Sequence, residues 1–96
     1  MLIKAGVDIS RLNRETRRSL PWAEHIYAQY NERFVITSTY EGNHGAGSLH
    51  YSDDAYDLER PAMNGKRIYL AIKDTFPESF DIVLEDDHIH IEYDPK

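Results

Sequence analysis

The chain has 96 residues, 41% of them hydrophobic and none of them cysteine. That length carries one domain and one modest core, and the lack of cysteine excludes disulfide stapling and thiolate metal sites. The formal net charge is −6, with no long run of Lys or Arg, which argues against nucleic acid and against an anionic membrane surface as partners.

Residues 1–10 read as an irregular or short extended entry. Lys4 and Asp8 interrupt the apolar character of Met1 to Ile9, so no secretory leader is expected there and synthesis in the cytoplasm is. No apolar run approaches membrane-spanning length, so no membrane insertion is expected. Residues 13–30 predict a helix. Asn13 stands at the cap position, and Leu20, Ala23, Ile26, Tyr27 and Tyr30 form one apolar stripe. Pro21 predicts a kink or a restart, because it removes a backbone donor. Arg11, Arg14, Arg17 and Arg18, with Glu15 among them, read as a solvated helix face.

Arg33 to Thr39 is rich in β-branched residues and predicts a strand. Tyr40 to Ser48 reads as a polar, Gly-rich loop, and His50 to Leu58 as a strand or extended segment. Pro61, Asn64 and Gly65 mark a connection. Residues 66–75 then predict a short helix, ended by Pro77. Asp81 to Leu84 and His88 to Tyr93 predict two strands joined by the acidic turn Glu85-Asp86-Asp87. The expected fold is α+β: a small, mostly antiparallel sheet packed against one or two helices, in a single domain over residues 1–96.

The histidines carry the chemical signal. His25 falls on the first helix and reads as a surface residue. His88 and His90 are two apart on a strand and so share one face with Glu92. Neutral imidazoles are common zinc ligands, and catalytic zinc usually takes three protein ligands. His50 and Asp57 supply further donors, separated by a span that suits a loop leading into a strand.

The segment Ser48-Leu49-His50-Tyr51-Ser52-Asp53-Asp54-Ala55-Tyr56-Asp57 resembles the S-x-H-x-x-G-x-A-x-D motif of the zinc D-alanyl-D-alanine carboxypeptidase family. That family includes vancomycin-resistance dipeptidases, phage L-alanyl-D-glutamate endolysins and the related hedgehog-type domain. Ser48, His50, Ala55 and Asp57 match in identity and spacing, and the stretch from Glu85 to Glu92 is similar to the family's second motif. The resemblance implies a zinc site on the sheet face, with His50, Asp57 and His90 as ligands. It implies Asp87 as general base acting on water at the metal, with Glu85 as the alternative, and His88 beside the metal as stabiliser of the charged intermediate.

The family's glycine falls at Asp53 here, and its substrate-binding arginine after the first strand is absent, which leaves His44 or Arg60 to take that part. The implied function is zinc-dependent hydrolysis of peptidoglycan stem peptides, in a phage-derived lysin or a virion component acting at the cell wall as a monomer. The alternative is a non-catalytic zinc-binding module of a phage particle. Regular strand alternation sets Asp87 and His90 on opposite faces, so the base must lie where the turn breaks the alternation.

Overall fold

The computed structural model describes residues 1–39 and 54–95. The Gly-rich loop and the first residues of the His50–Leu58 segment lie outside them. Among the described residues, two helices and five strands follow in the order β1 (Leu2–Ile3), α1 (Arg14–Gln29), β2 (Val35–Ser38), β3 (Ala55–Glu59), α2 (Gly65–Thr75), β4 (Phe80–Leu84) and β5 (His88–Tyr93). The strands form one mixed sheet, ordered β1-β2-β3-β5-β4. The β1–β2 pairing is parallel, and β2–β3, β3–β5 and β4–β5 are antiparallel.

Helix α1 buries Thr16, Ser19, Leu20, Ala23, Ile26 and Tyr27, one face at helical spacing. Pro21 lies inside a helix that does not restart. Arg17, whose carbonyl loses its helical donor to Pro21, and Pro21 itself are both exposed residues. Asn13 takes the cap position but makes no side-chain cap bond; its amide instead donates to the Asp54 carboxylate and ties α1 to the start of β3. The C-terminus closes by a Schellman motif. Asn31, at φ 57°, donates to Ala28 O, and Glu32 N–H donates to Tyr27 O.

The core is one cluster between the two helices and one face of the sheet. Ile36 of β2, Tyr56 and Leu58 of β3, Ile82 of β4, and Ile89 and Ile91 of β5 meet Ile26 and Tyr27 of α1 and Ile68 and Ile72 of α2. Register explains the selection, since Tyr56 faces Ile91 and Leu58 faces Ile89. The intervening residues Asp57, His88, His90 and Glu92 are thereby sent to the other face. The Tyr56 hydroxyl is fully buried and meets Ser19 Oγ at 2.7 Å, and burial holds its pKa well above the usual phenol value. No helix among the described residues is long and apolar enough to cross a membrane.

Thr16 sits beside that hydroxyl pair, fully buried, and its Oγ1 is the one buried side-chain polar atom without a partner among the described residues. An unmade buried hydrogen bond costs about 1–3 kcal/mol. Thr16→Val keeps the shape and removes that cost. Chemical denaturation is therefore expected to show the variant more stable than the parent by about 1 kcal/mol or more; a lower midpoint would mean that the hydroxyl is satisfied.

Candidate functional site

Strands β3 and β5 bring three of the predicted residues, Asp57, His88 and His90, to the outer face. Asp57 stands directly opposite His90, and Glu59 opposite His88. His90 uses both ring nitrogens: Nδ1 lies 2.9 Å from Asp57 Oδ1 and Nε2 lies 2.5 Å from Glu92 Oε1. The other oxygen of Asp57, Oδ2, is 3.8 Å from His88 Nε2, an ion-pair distance rather than a hydrogen bond. His88 Nδ1 in turn lies 2.6 Å from Asp87 Oδ1. Carboxylates and imidazoles therefore alternate in one string, Asp87–His88–Asp57–His90–Glu92.

Asp87 lies in the turn between β4 and β5. Strand β5 begins at His88, so Asp87 is not bound by strand alternation and its carboxylate reaches round to His88. Its side chain is 90% exposed, whereas Asp57 as a residue is only 9% exposed. The hydrogen bond and charge of His88 hold the Asp87 carboxyl below the usual carboxylate value. Glu85 contributes its backbone to the same turn: its N–H donates to His88 O and its carbonyl accepts from Arg60 Nη1 at 2.8 Å. Arg60 lines a shallow groove with Glu59, Asp86 and Asp87. His50 and His44 lie outside the described residues. His25 is an exposed residue of α1, as its sequence position suggests.

Three residues of this face escape a reading of the sequence. Asp81 of β4 stands opposite Glu92, and Asp94 follows β5. Ligand atoms of Asp81, Glu92 and Asp94 all lie within 4.8 Å of one another. Counting outward from the acidic turn pairs position 81 with 92, so the first contact was present as arithmetic. The third residue, Ser38, needs a structural fact. A bulge in β2 shifts the register so that Ser38, not Thr37, stands opposite Asp57, and bulges re-aim side chains in this way. An all-carboxylate set suits hard cations and carries no preference for zinc.

Asp57 and His90 are two of the three expected zinc ligands, and their facing atoms stand at hydrogen-bonding distance. Adjacent ligand atoms of a tetrahedral zinc lie about 3.3 Å apart, given bonds of about 2.0–2.1 Å, and the observed separation is 2.9 Å. Glu92 on the second ring nitrogen reproduces the carboxylate–histidine arrangement that orients metal-binding imidazoles. No protein-family model, curated protein or solved structure matches the chain.

Burial pushes the His90 pKa down, but hydrogen bonds to Asp57 and Glu92 and their negative charge outweigh it, so the net shift is above the ordinary 6.5. A group whose pKa is higher in the folded state stabilises the fold fully below the unfolded value and loses that contribution as pH rises through the folded value. Metal-free protein is therefore expected to lose stability as pH is raised above 6.5 and through the folded His90 value. Urea midpoints across that range should show the slope in the parent and a flatter profile in His90→Gln; equal slopes would refute the assignment.

Proposed function

We propose that this chain is a zinc-dependent peptidase acting on peptidoglycan stem peptides. The observation that carries the reading is the cross-strand pair Asp57–His90, with Glu92 behind the imidazole. It joins the two sequence motifs whose resemblance to the D-alanyl-D-alanine carboxypeptidase family suggested the reaction. Asp57 and His90 would hold the metal, with His50 of the first motif as third ligand. Zinc bound there supplies a Lewis acid that polarises a carbonyl and lowers the pKa of water towards about 7.

The chain's own groups do the rest. Asp87 would take a proton from water at the metal and return it to the leaving amine; its hydrogen bond to His88 keeps it ionised but makes it a weaker base. His88, whose ring lies 2.6 Å from Asp87 and 3.8 Å from Asp57, would steady the negative charge that develops on the scissile carbonyl. Glu92 fixes the ring of His90. The anionic Asp57 with two neutral imidazoles leaves the metal net positive, which keeps it a competent Lewis acid. Arg60 and His44 are the candidates for holding a substrate carboxylate, the first because it lines the groove that contains Asp87.

Metal analysis of protein purified without chelator is expected to give about one zinc per chain, and Asp57→Ala, His90→Ala and His50→Ala should each lose it. A folded chain that binds no zinc would refute the metal site. Zinc-loaded protein incubated with purified cell walls should release new amino groups. Asp87→Ala should lower that rate by roughly 10²–10⁴-fold while keeping the metal. Bound zinc without release from the parent would leave the non-catalytic module as the function.

A further inference from the structure

Arg60 does more in this structure than line a groove. It follows β3 directly, and its backbone N–H donates to Asp87 O at 3.1 Å. Its guanidinium Nη1 donates to Glu85 O at 2.8 Å. One residue thus grips both ends of the Glu85–Asp87 turn from the β3 side.

A second observation stands apart from the turn. Gly65 opens helix α2 and is buried. A Cβ at Gly65 would lie 2.7 Å from Arg60 Cγ and 2.9 Å from Arg60 Nε. Such contacts are too close to exist, so any larger residue would displace the Arg60 side chain. Alanine is the better helix former at an ordinary helical position, by about 1 kcal/mol. The glycine is therefore a slot that keeps the arginine stem over α2 and its head on the turn.

We infer that Arg60, seated against Gly65, is a positioning residue that sets the hairpin turn and thereby aims Asp87 at the outer face. The inference rests on the peptidase reading for what Asp87 does there. Arg60 acts through hydrogen bonds to the turn, and Gly65 acts through Arg60. The two are one device built from β3 and α2, and it reaches a turn on β5 that neither element contains.

The test uses the full zinc-loaded chain with Arg60→Met, Arg60→Lys, Gly65→Ala and the Met/Ala double variant. Amide hydrogen exchange reports the turn through the N–H groups of Arg60 and Glu85, with Ile89 and Ile91 as core references. Arg60→Met and Gly65→Ala should each speed exchange at the two turn amides by about fivefold or more and leave the core amides unchanged. Zinc content should be unaltered. The turnover number on wall peptides should fall on the order of 10- to 100-fold; a rise in KM with unchanged turnover would overturn the aiming role and leave Arg60 as the holder of the substrate carboxylate. Arg60→Lys, which keeps the charge and one donor, should recover part of both readouts. Gly65→Ala should add nothing to Arg60→Met at the turn amides, because the guanidinium donor that it displaces is already gone. Unchanged turn exchange, or additive effects in the double variant, would overturn the clamp. Absence of cleavage by the unaltered chain would instead sink the peptidase reading and the aiming role with it, while the exchange data would still decide whether the clamp exists.

Discussion

The pairing of β3 with β5 is the constraint on which the molecule turns. Leu58 against Ile89 and Tyr56 against Ile91 seal the sheet side of the core. The residues between them have no choice of direction: once those four side chains point inward, Asp57 must face His90 on the outside. The core thus specifies the site without touching it. The hydrogen bonds of Asp57 and Glu92 to His90 are then made between groups already brought into range, so little ordering entropy is spent on them.

The rest of the outer face follows from the neighbours of that central pair. Strand β4 extends the sheet beyond β5 and places Asp81 beside Glu92, which concentrates negative charge at one end of the polar string. The β4–β5 turn supplies the other end, where Asp87 escapes the strand pattern. Strand β2 closes the opposite flank, and its bulge delivers Ser38 to the level of Asp57. The string therefore runs along β5 with a carboxylate at each terminus and Asp57 contributed from across the ladder. Such alternation keeps every imidazole next to a hydrogen-bond acceptor and no carboxylate directly against another within the string.

Much of this was legible because it is periodic. The six-residue run His88–Tyr93 alternates cleanly between polar and apolar, so its two faces could be assigned from composition alone. Helix α1 was visible from its apolar stripe, and α2 from the connection signals before it and Pro77 after it. Asn13 was harder: cap position and cap bond are different things, and its amide is drawn to Asp54, which is 41 positions away in the chain and invisible to local rules. The pairing of Asp57 with His90 spans 33 positions and came from the likeness to a family motif, not from any pattern in the chain itself. The bulge in β2 left no mark, since Thr37 and Ser38 are chemically close and either could stand opposite Asp57. Gly65 read as punctuation; only the stem of Arg60 lying over it explains why it is glycine.

The strict in-and-out alternation of β5 also governs which kinds of genetic change this molecule can absorb. Exchanging His88, His90 or Glu92 alters polar groups that carry none of the hydrophobic packing, so the outer face is open to drift, loss or replacement of chemistry while the domain persists. A deletion of one residue within the strand is another matter. It would turn the imidazoles towards the helices and the isoleucines towards solvent, exchanging the two faces in a single step. Lineages of this fold should accordingly record their divergence on β5 as substitutions and confine their gains and losses of length to the connections on either side.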